Sequence, residues 1–310
     1  MHVANEIIAV GMACYDHVVV VPDFAEVPKG CRALDVMVQG GGVAATAAVA
    51  ARALGALAQL WVRVGADPHG EYVVADLRRR GVDTSELQML EGARTAISTV
   101  LVEESTGERR FLYYAGAHTD NWEEPEYARI DRARALIVDG RWPGVCLAAV
   151  RRARAHAVPV ICDLGHASPD EMEILKLADY PVVSEVAYRE LAGAKELEEF
   201  ADELLAGHAL AVVFTHGEQG VWLKERDGEP KRLGVFDVEV KDTTGAGDVF
   251  HGAFAYFITS GHSIEESAFL SSAASAHACT ALGCRGAVAS LDDVRMLAEA
   301  DNHPVWRPAD

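Results

Sequence analysis

A doubly wound α/β fold, in which helices flank a mostly parallel sheet and a small β-sheet forms a lid, is predicted by three features of the sequence. Short apolar, β-rich runs alternate with helical patterns. Two glycine-rich segments each lead into a helix, and two pairs of strand-like runs have no helix between them. The chain of 310 residues is half apolar, enough for a substantial core.

The runs expected in the large sheet are Ile7–Val10, Ala58–Val64, Ala135–Val138, Val158–Cys162, Pro181–Val183 and Leu210–Phe214. Helical patterns fill the gaps. One begins after Asp67-Pro68, where the aspartate can cap and the proline suits the first turn, and it closes at Gly81. The runs that break the alternation are Val18–Val21 with Ala33–Val38, and Ile97–Val102 with Phe111–Tyr114, the latter pair joined by a Glu-Ser-Thr-Gly turn. They are expected to form the lid, from inserts at about 14–40 and 95–116, over a site at the strand ends, where open α/β sheets bind ligands. Such a lid should expose edges and apolar side chains such as Val18, Val20, Phe111 and Tyr113, which predicts a homodimer in which two lids cover each other. No internal repeat or long Gly/Ser linker divides the chain, so residues 1–310 are read as one domain.

Composition narrows the function. A formal net charge of −19 argues against nucleic acid and anionic membranes, which are bound through clustered Lys and Arg. No apolar run reaches the ~18 residues of a membrane span, and the start, MHVANEIIAV, has no basic n-region or cleavage site, so a soluble, cytoplasmic protein is expected. The six cysteines include no C-x-x-C pair and read as reduced thiols. No H-E-x-x-H occurs, and His277 with Cys279 reads as part of a packed helix, so no structural transition metal is expected.

The sharpest signal is Asp242-Thr243-Thr244-Gly245-Ala246-Gly247-Asp248. Val249, Phe250, Ala253, Phe254 and Phe257 follow at helical spacing, so the loop opens a buried helix whose free N–H groups face whatever precedes it. Small residues at 245–247 admit an anion, and the helix dipole favours it. An aspartate beside an anion hole makes chemical sense when it takes a proton from a hydroxyl that attacks a phosphoryl group held there. The plainer reading makes Thr244 or Asp242 a helix cap and Asp248 a first-turn acid, and leaves the two glycines without a purpose.

Gly40-Gly41-Gly42 leads into an alanine-rich helical segment, and glycines there would let backbone approach a ligand rich in hydroxyls. Gly40, Gly42 and Ala45 also satisfy the G-x-G-x-x-G/A dinucleotide spacing, which keeps an NAD(P) oxidoreductase as an alternative. Against it, the next strand offers Arg63 rather than an acid, and nothing in such an enzyme explains Asp248. A catalytically silent sugar-binding protein is a second alternative, opposed by the intact Asp248. No G-x-x-x-x-G-K-[ST] is present.

Together GGGVAATAAVAARALGA and DTTGAGDVFHGAF, with GMACYD, VGADPHG, RRRGVDTS and THGEQGVW, resemble the signature regions of the ribokinase or PfkB family of carbohydrate kinases, from Gly11 to about Gly286. Within it the chain is most similar to the ketose kinases, ketohexokinase and sulfofructose kinase. The resemblance implies ATP-dependent transfer of a phosphoryl group to a sugar hydroxyl, with Asp248 as general base and the amides of Gly245, Ala246 and Gly247 as anion hole. It implies a sugar pocket lined by Asp16, Gly41, Gly42 and Thr46, with Thr215, Gly217, Gly220 and Thr244 beside ATP. Magnesium is the implied metal, and potassium a further ion of interest. The chain departs from the family at Ser184-Glu185-Val186-Ala187, where Asn-x-x-Glu is common near the magnesium site, and Glu185 is the substitute. Thr46 stands where many members have asparagine. Arg141 aligns with an arginine that reaches the sugar in ketose kinases, although Tyr113 replaces the asparagine that assists there. Its plainer reading is a surface arginine after a strand. His118, Trp122 and Trp142 read equally as packing residues or substrate contacts.

Overall fold

A computed structural model describes residues 6–116 and 123–301; His118 and Trp122 lie outside them. Eight strands form the large sheet in the order β14 (Lys231–Leu233), β13 (Val221–Glu225), β12 (Ala211–Thr215), β11 (Tyr180–Ser184), β10 (Val160–Cys162), β9 (Ala135–Val138), β1 (Glu6–Val10) and β4 (Leu57–Trp61). From β12 to β4 all neighbours are parallel; β13 and β14 extend the sheet in antiparallel fashion, an addition the alternation of runs did not anticipate.

Strand β1 shows why the central runs are apolar without alternation. Ile7 and Ala9 pack into one core while Ile8 and Val10 pack into the other, because successive side chains leave the strand on opposite faces and both faces carry helices. The first layer holds α1 (Val43–Leu54), α2 (Pro68–Arg79), α7 (Ala246–Thr259), α8 (Ile264–Ala278) and α9 (Leu291–Asp301). The second holds α3 (Pro143–Ala155), α4 (Pro169–Leu177), α5 (Glu185–Leu191) and α6 (Leu197–Leu205). Helix α2 starts as its sequence predicts: the Asp67 side chain accepts the Gly70 N–H at 2.8 Å, Pro68 occupies the first turn, and Gly81 follows at φ 77°. His277 lies in the last turn of α8, which ends at Ala278, and Cys279 is its C-cap residue.

The run 58–64 divides. After β4 the chain leaves the large sheet, and β5 (Arg63–Gly65) pairs with β6 (Gln88–Leu90) in a sheet of their own. Val62 and Val64 are both fully buried, so the apolar pattern continues across the break and conceals it.

The second sheet has the order β3 (Asp35–Gly41), β2 (Cys14–Val21), β7 (Ala96–Glu103) and β8 (Arg109–Tyr114). Its faces correct one expectation. Val18 and Val20 are buried, Val18 with Val100 and Val102 against Met37 and Leu282, because this face turns toward the body of the protein. Phe111 and Tyr113 are exposed as expected, together with Leu112, Tyr114, Val36 and Val38. Strand β3 runs on to Gly41 and so delivers the chain directly into α1.

Candidate active site

Gly245 is the N-cap residue of α7, at φ 76°, and no side chain caps this helix. A Cβ at Gly245 would lie 2.3 Å from the Cys284 Cβ, so glycine is required by both conformation and space. Asp242 does not cap the helix; it builds the loop. One of its carboxylate oxygens accepts the N–H of Thr244 at 2.8 Å and its hydroxyl at 2.6 Å, and the other accepts the N–H of Gly283 at 2.8 Å. Thr244 is thereby committed to Asp242. The Ala246 N–H has a competing acceptor in the Thr243 carbonyl at 3.3 Å. Around Gly247 nothing lies within 4 Å of where a Cβ would stand, so the first turn of α7 faces open space.

Asp248 stands in that first turn, partly open to the crevice. Burial, and then the neighbouring Asp163 carboxylate, push its carboxyl up to about 7, while His251 and Arg109 pull it down. A carboxyl near neutrality is suited to accepting a proton and giving it up again.

The glycines ahead of α1 have close neighbours of their own. A Cβ at Gly41 would lie 2.0 Å from the Asp16 carboxylate, one at Gly40 would lie 2.3 Å from the Arg285 guanidinium, and one at Gly42 would lie 2.6 Å from the Met12 carbonyl and Ala13. Much of the room they leave is filled by the protein's own polar groups. Asp16 is buried and accepts the Cys14 thiol at 3.0 Å and the Cys284 thiol at 3.7 Å. Burial raises its carboxyl, and the Cys14 bond and the Arg285 charge work against that rise. Arg285, fully buried, pairs with Asp76 and donates to the Gly41 carbonyl at 3.3 Å. Thr46 is buried, and its hydroxyl lies 3.6 Å from the Cys284 sulfur. Cys284 thus touches Asp16, Thr46 and the backbone of Gly245, and joins the two glycine segments into one site.

The same segments exclude the dinucleotide alternative. Gly40 lies in β3 and Gly42 and Ala45 follow it; β3 is an edge strand in the second sheet paired antiparallel to β2, not a strand of the parallel sheet with a βαβ crossover.

Thr215 ends β12, and Gly217 (φ 53°) and Gly220 (φ 85°) form the turn into β13. A Cβ at Gly220 would lie 2.1 Å from the Leu233 carbonyl, so this glycine serves the crossing of two chain segments; none lies within 4 Å of the corresponding point at Gly217. Ser184 caps α5 by accepting the Ala187 N–H at 3.2 Å, and Glu185 pairs with Arg189 at 2.5 Å. Arg141 is exposed in the loop after the C-terminal end of β9, near Gly165 and close enough to Tyr113 of β8 to act on its phenol, whose hydroxyl reaches Met12. Trp142 is a core residue.

Four residues that sequence reasoning passed over belong to this region. Asp139 accepts the backbone N–H groups of Met12 (2.8 Å), Ala44 (3.1 Å) and Arg141 (2.9 Å), which ties the β1–β2 turn, the start of α1 and the β9–α3 loop together. Burial pushes its carboxyl up to about 6, against those three bonds. Asp163, at the end of β10, and His251, in α7, lie 3.1 Å apart beneath Asp248. Arg109 reaches from β8 to the Thr243 carbonyl at 2.5 Å and links the second sheet to the α7 loop. An aspartate directly after an apolar strand, as in Val138-Asp139 and Cys162-Asp163, was the available signal for two of them.

Comparison with known proteins shows the family. The model of the pfkB family carbohydrate kinases matches residues 4–290. The chain is 29% identical over 243 residues to a ribokinase of Schizosaccharomyces pombe, covering 74% of this chain and 76% of the relative. It is 30% identical over 247 residues to a probable fructokinase-2 of Arabidopsis thaliana, covering 73% and 74%. Among solved structures, a putative ribokinase from Agrobacterium tumefaciens is 30% identical, superposes with a TM-score of 0.87 and covers 97% of this chain and 99% of its own. The chain therefore belongs to the pfkB family of carbohydrate kinases, enzymes that transfer a phosphoryl group from ATP to a sugar hydroxyl.

Proposed function

We propose that the protein transfers the γ-phosphoryl group of MgATP to a primary hydroxyl of a sugar, with a ketose phosphorylated at its 1-position as the favoured acceptor. The observation that carries this reading is the position of Asp248, a carboxyl held near neutrality in the first turn of a helix whose start is open to an anion. In this mechanism Asp16 orients the acceptor by accepting hydroxyl hydrogens. Asp248 takes the proton of the attacking hydroxyl, and the amides of Gly245 and Gly247, helped by Ala246, hold the transferring phosphoryl group. Thr215 and Gly217 flank the nucleotide. Because the base must be ionised, kcat/KM for the acceptor should rise with pH through about 7.

Magnesium would enter with the nucleotide and neutralise phosphate charge. Among the described residues no group of three or more His, Cys, Asp or Glu forms a preassembled cage for a metal, which suits an ion carried mainly by phosphates and water. Glu185 is the carboxylate that would reach its water shell, with Arg189 as competitor.

The ketose preference rests on Arg141, whose guanidinium lies at the crevice between the β9 loop and Tyr113 of the lid. The second sheet acts as lid, and its exposed strip of Phe111, Leu112, Val36 and Val38 is the surface through which two copies pair. No described helix is long and apolar enough to cross a membrane; six free cysteines fit a reducing cytoplasm.

The test is an assay of ADP release over ketoses, pentoses, sulfosugars and nucleosides. The highest kcat/KM for a ketose is expected. Preference for a pentose or nucleoside would overturn the acceptor assignment, and ADP release with no acceptor in the set would overturn the reading as a whole. Light scattering at micromolar concentration should give a dimer; a strict monomer would remove the pairing of lids and leave the chemistry untouched.

A further inference from the structure

We propose that His251 is a positioning residue which carries a hydrogen on both ring nitrogens and so acts as a buried cation beneath the catalytic turn, setting the pH at which Asp248 ionises. This rests on the reading of Asp248 as the base. His251 is almost fully buried in the first half of α7. Its Nδ1 lies 2.7 Å from the Gly247 carbonyl oxygen and 3.1 Å from the Asp163 carboxylate, and its Nε2 lies 3.1 Å from the Val182 carbonyl. All three of these neighbours accept hydrogen bonds. A neutral ring would set a bare nitrogen lone pair against an acceptor, an uncompensated repulsion in a buried site. A ring with both hydrogens satisfies every contact, and its charge is balanced by Asp163.

Two consequences bear on the site. The bond to the Gly247 carbonyl polarises the Gly247–Asp248 peptide, whose N–H lies in the first turn that faces the anion. The positive charge also opposes the effect of Asp163 on Asp248, in the direction His251 acts there. The other titratable and charged groups acting on Asp248 come from separate elements: Asp163 from the end of β10, Asp139 from the end of β9 and Arg109 from β8. Cys284, which Asp248 raises in turn, is held as a neutral thiol by burial and its acidic neighbours. Val182 of β11 contributes only a carbonyl. Within this group His251 is the cation fixed inside the core, while Arg109 arrives from the exposed second sheet.

The full-length His251→Gln variant keeps donors toward Gly247 and Asp163 but has no charge. Removal of a positive charge at this range should move the acid limb of kcat/KM upward by about one pH unit or more, so that activity below the limb falls about tenfold while the alkaline plateau persists. An unmoved limb with retained turnover would overturn the proposal. Nitrogen-15 spectra of the histidine-labelled parent enzyme, with the ring assigned through bonds to its own backbone, give a readout independent of activity and of the variant's folding. Both nitrogens should carry hydrogens at neutral pH, and a ring with one bare nitrogen would overturn the idea. If instead Asp248→Asn kept normal turnover, the base assignment would fail while the spectra still reported on His251.

Discussion

Two glycine-rich segments open the helices α1 and α7, and they use glycine for different ends. Ahead of α1 the absent side chains make room for the Asp16 carboxylate, the Arg285 guanidinium and the Met12 backbone, all within 3 Å of a would-be Cβ. At α7, Gly245 is needed for a left-handed turn against Cys284, but Gly247 faces space with no neighbour within 4 Å. A similar sequence pattern thus builds, in one place, a close-packed scaffold around the Asp16 carboxylate and, in the other, an open helix start. Spacing between glycines does not tell these apart; what stands opposite each glycine does.

The largest effect that would break this comparison is expected at Arg285. Its guanidinium is fully buried against Asp76 and supports Gly41, and Arg285→Ala leaves Asp76 only the more exposed Arg79 and Arg80 as partners, so it should cost about 3 kcal/mol of stability in urea unfolding. Loss of less than about 1 kcal/mol would mean that the pair does not anchor the scaffold.

Next come matched glycine substitutions. Gly41→Ala must displace Asp16 or the strand, at about 1–3 kcal/mol, with a raised acceptor KM. Gly247→Ala enters open space on a helix and should change stability by no more than about 1 kcal/mol, while kcat/KM for ATP falls because the methyl occupies ligand space. Equal stability losses would erase the distinction between the two segments. Smallest is Arg141→Ala, which should raise the acceptor KM several-fold with little change in melting temperature, because the side chain is exposed and holds nothing in the core. An unchanged acceptor KM would return Arg141 to the surface.

What the sequence disclosed follows the same division. The start of α7 was readable because small residues followed by an apolar pattern at helical spacing mark a helix start locally. The central strands were readable because burial on two faces leaves an unbroken apolar run, although that same continuity hid the departure of the chain after Trp61. Asp139 was readable only in part: its place directly after an apolar strand was a signal, but two of the donors that give it its role, Met12 and Ala44, lie 127 and 95 residues away in the chain. Arg285 meets Asp76 at a separation of 209 residues, and a single sequence does not reveal such pairings. Val18 and Val20 failed for another reason. Alternation separates the two faces of a strand but does not say which face the rest of the molecule will cover.

The central claim is that Asp248 is the base. Asp248→Asn preserves the shape of the turn and removes the proton acceptor, so kcat should fall ~10²–10⁴-fold, a barrier increase of about 3–5.5 kcal/mol, with ATP binding retained. Stability gives an independent sign. Since burial lifts the carboxyl from an ordinary 3.8 to about 7, the native state binds more protons than the unfolded state between those values, and stability should decline as pH rises through that window. The asparagine variant should lack that decline. The decisive measurement is kcat, nucleotide Kd and melting temperature on the same variant, from about pH 5 to pH 8. Collapse of kcat with an intact Kd and a flattened pH dependence of melting is the predicted result; near-normal kcat would contradict the account.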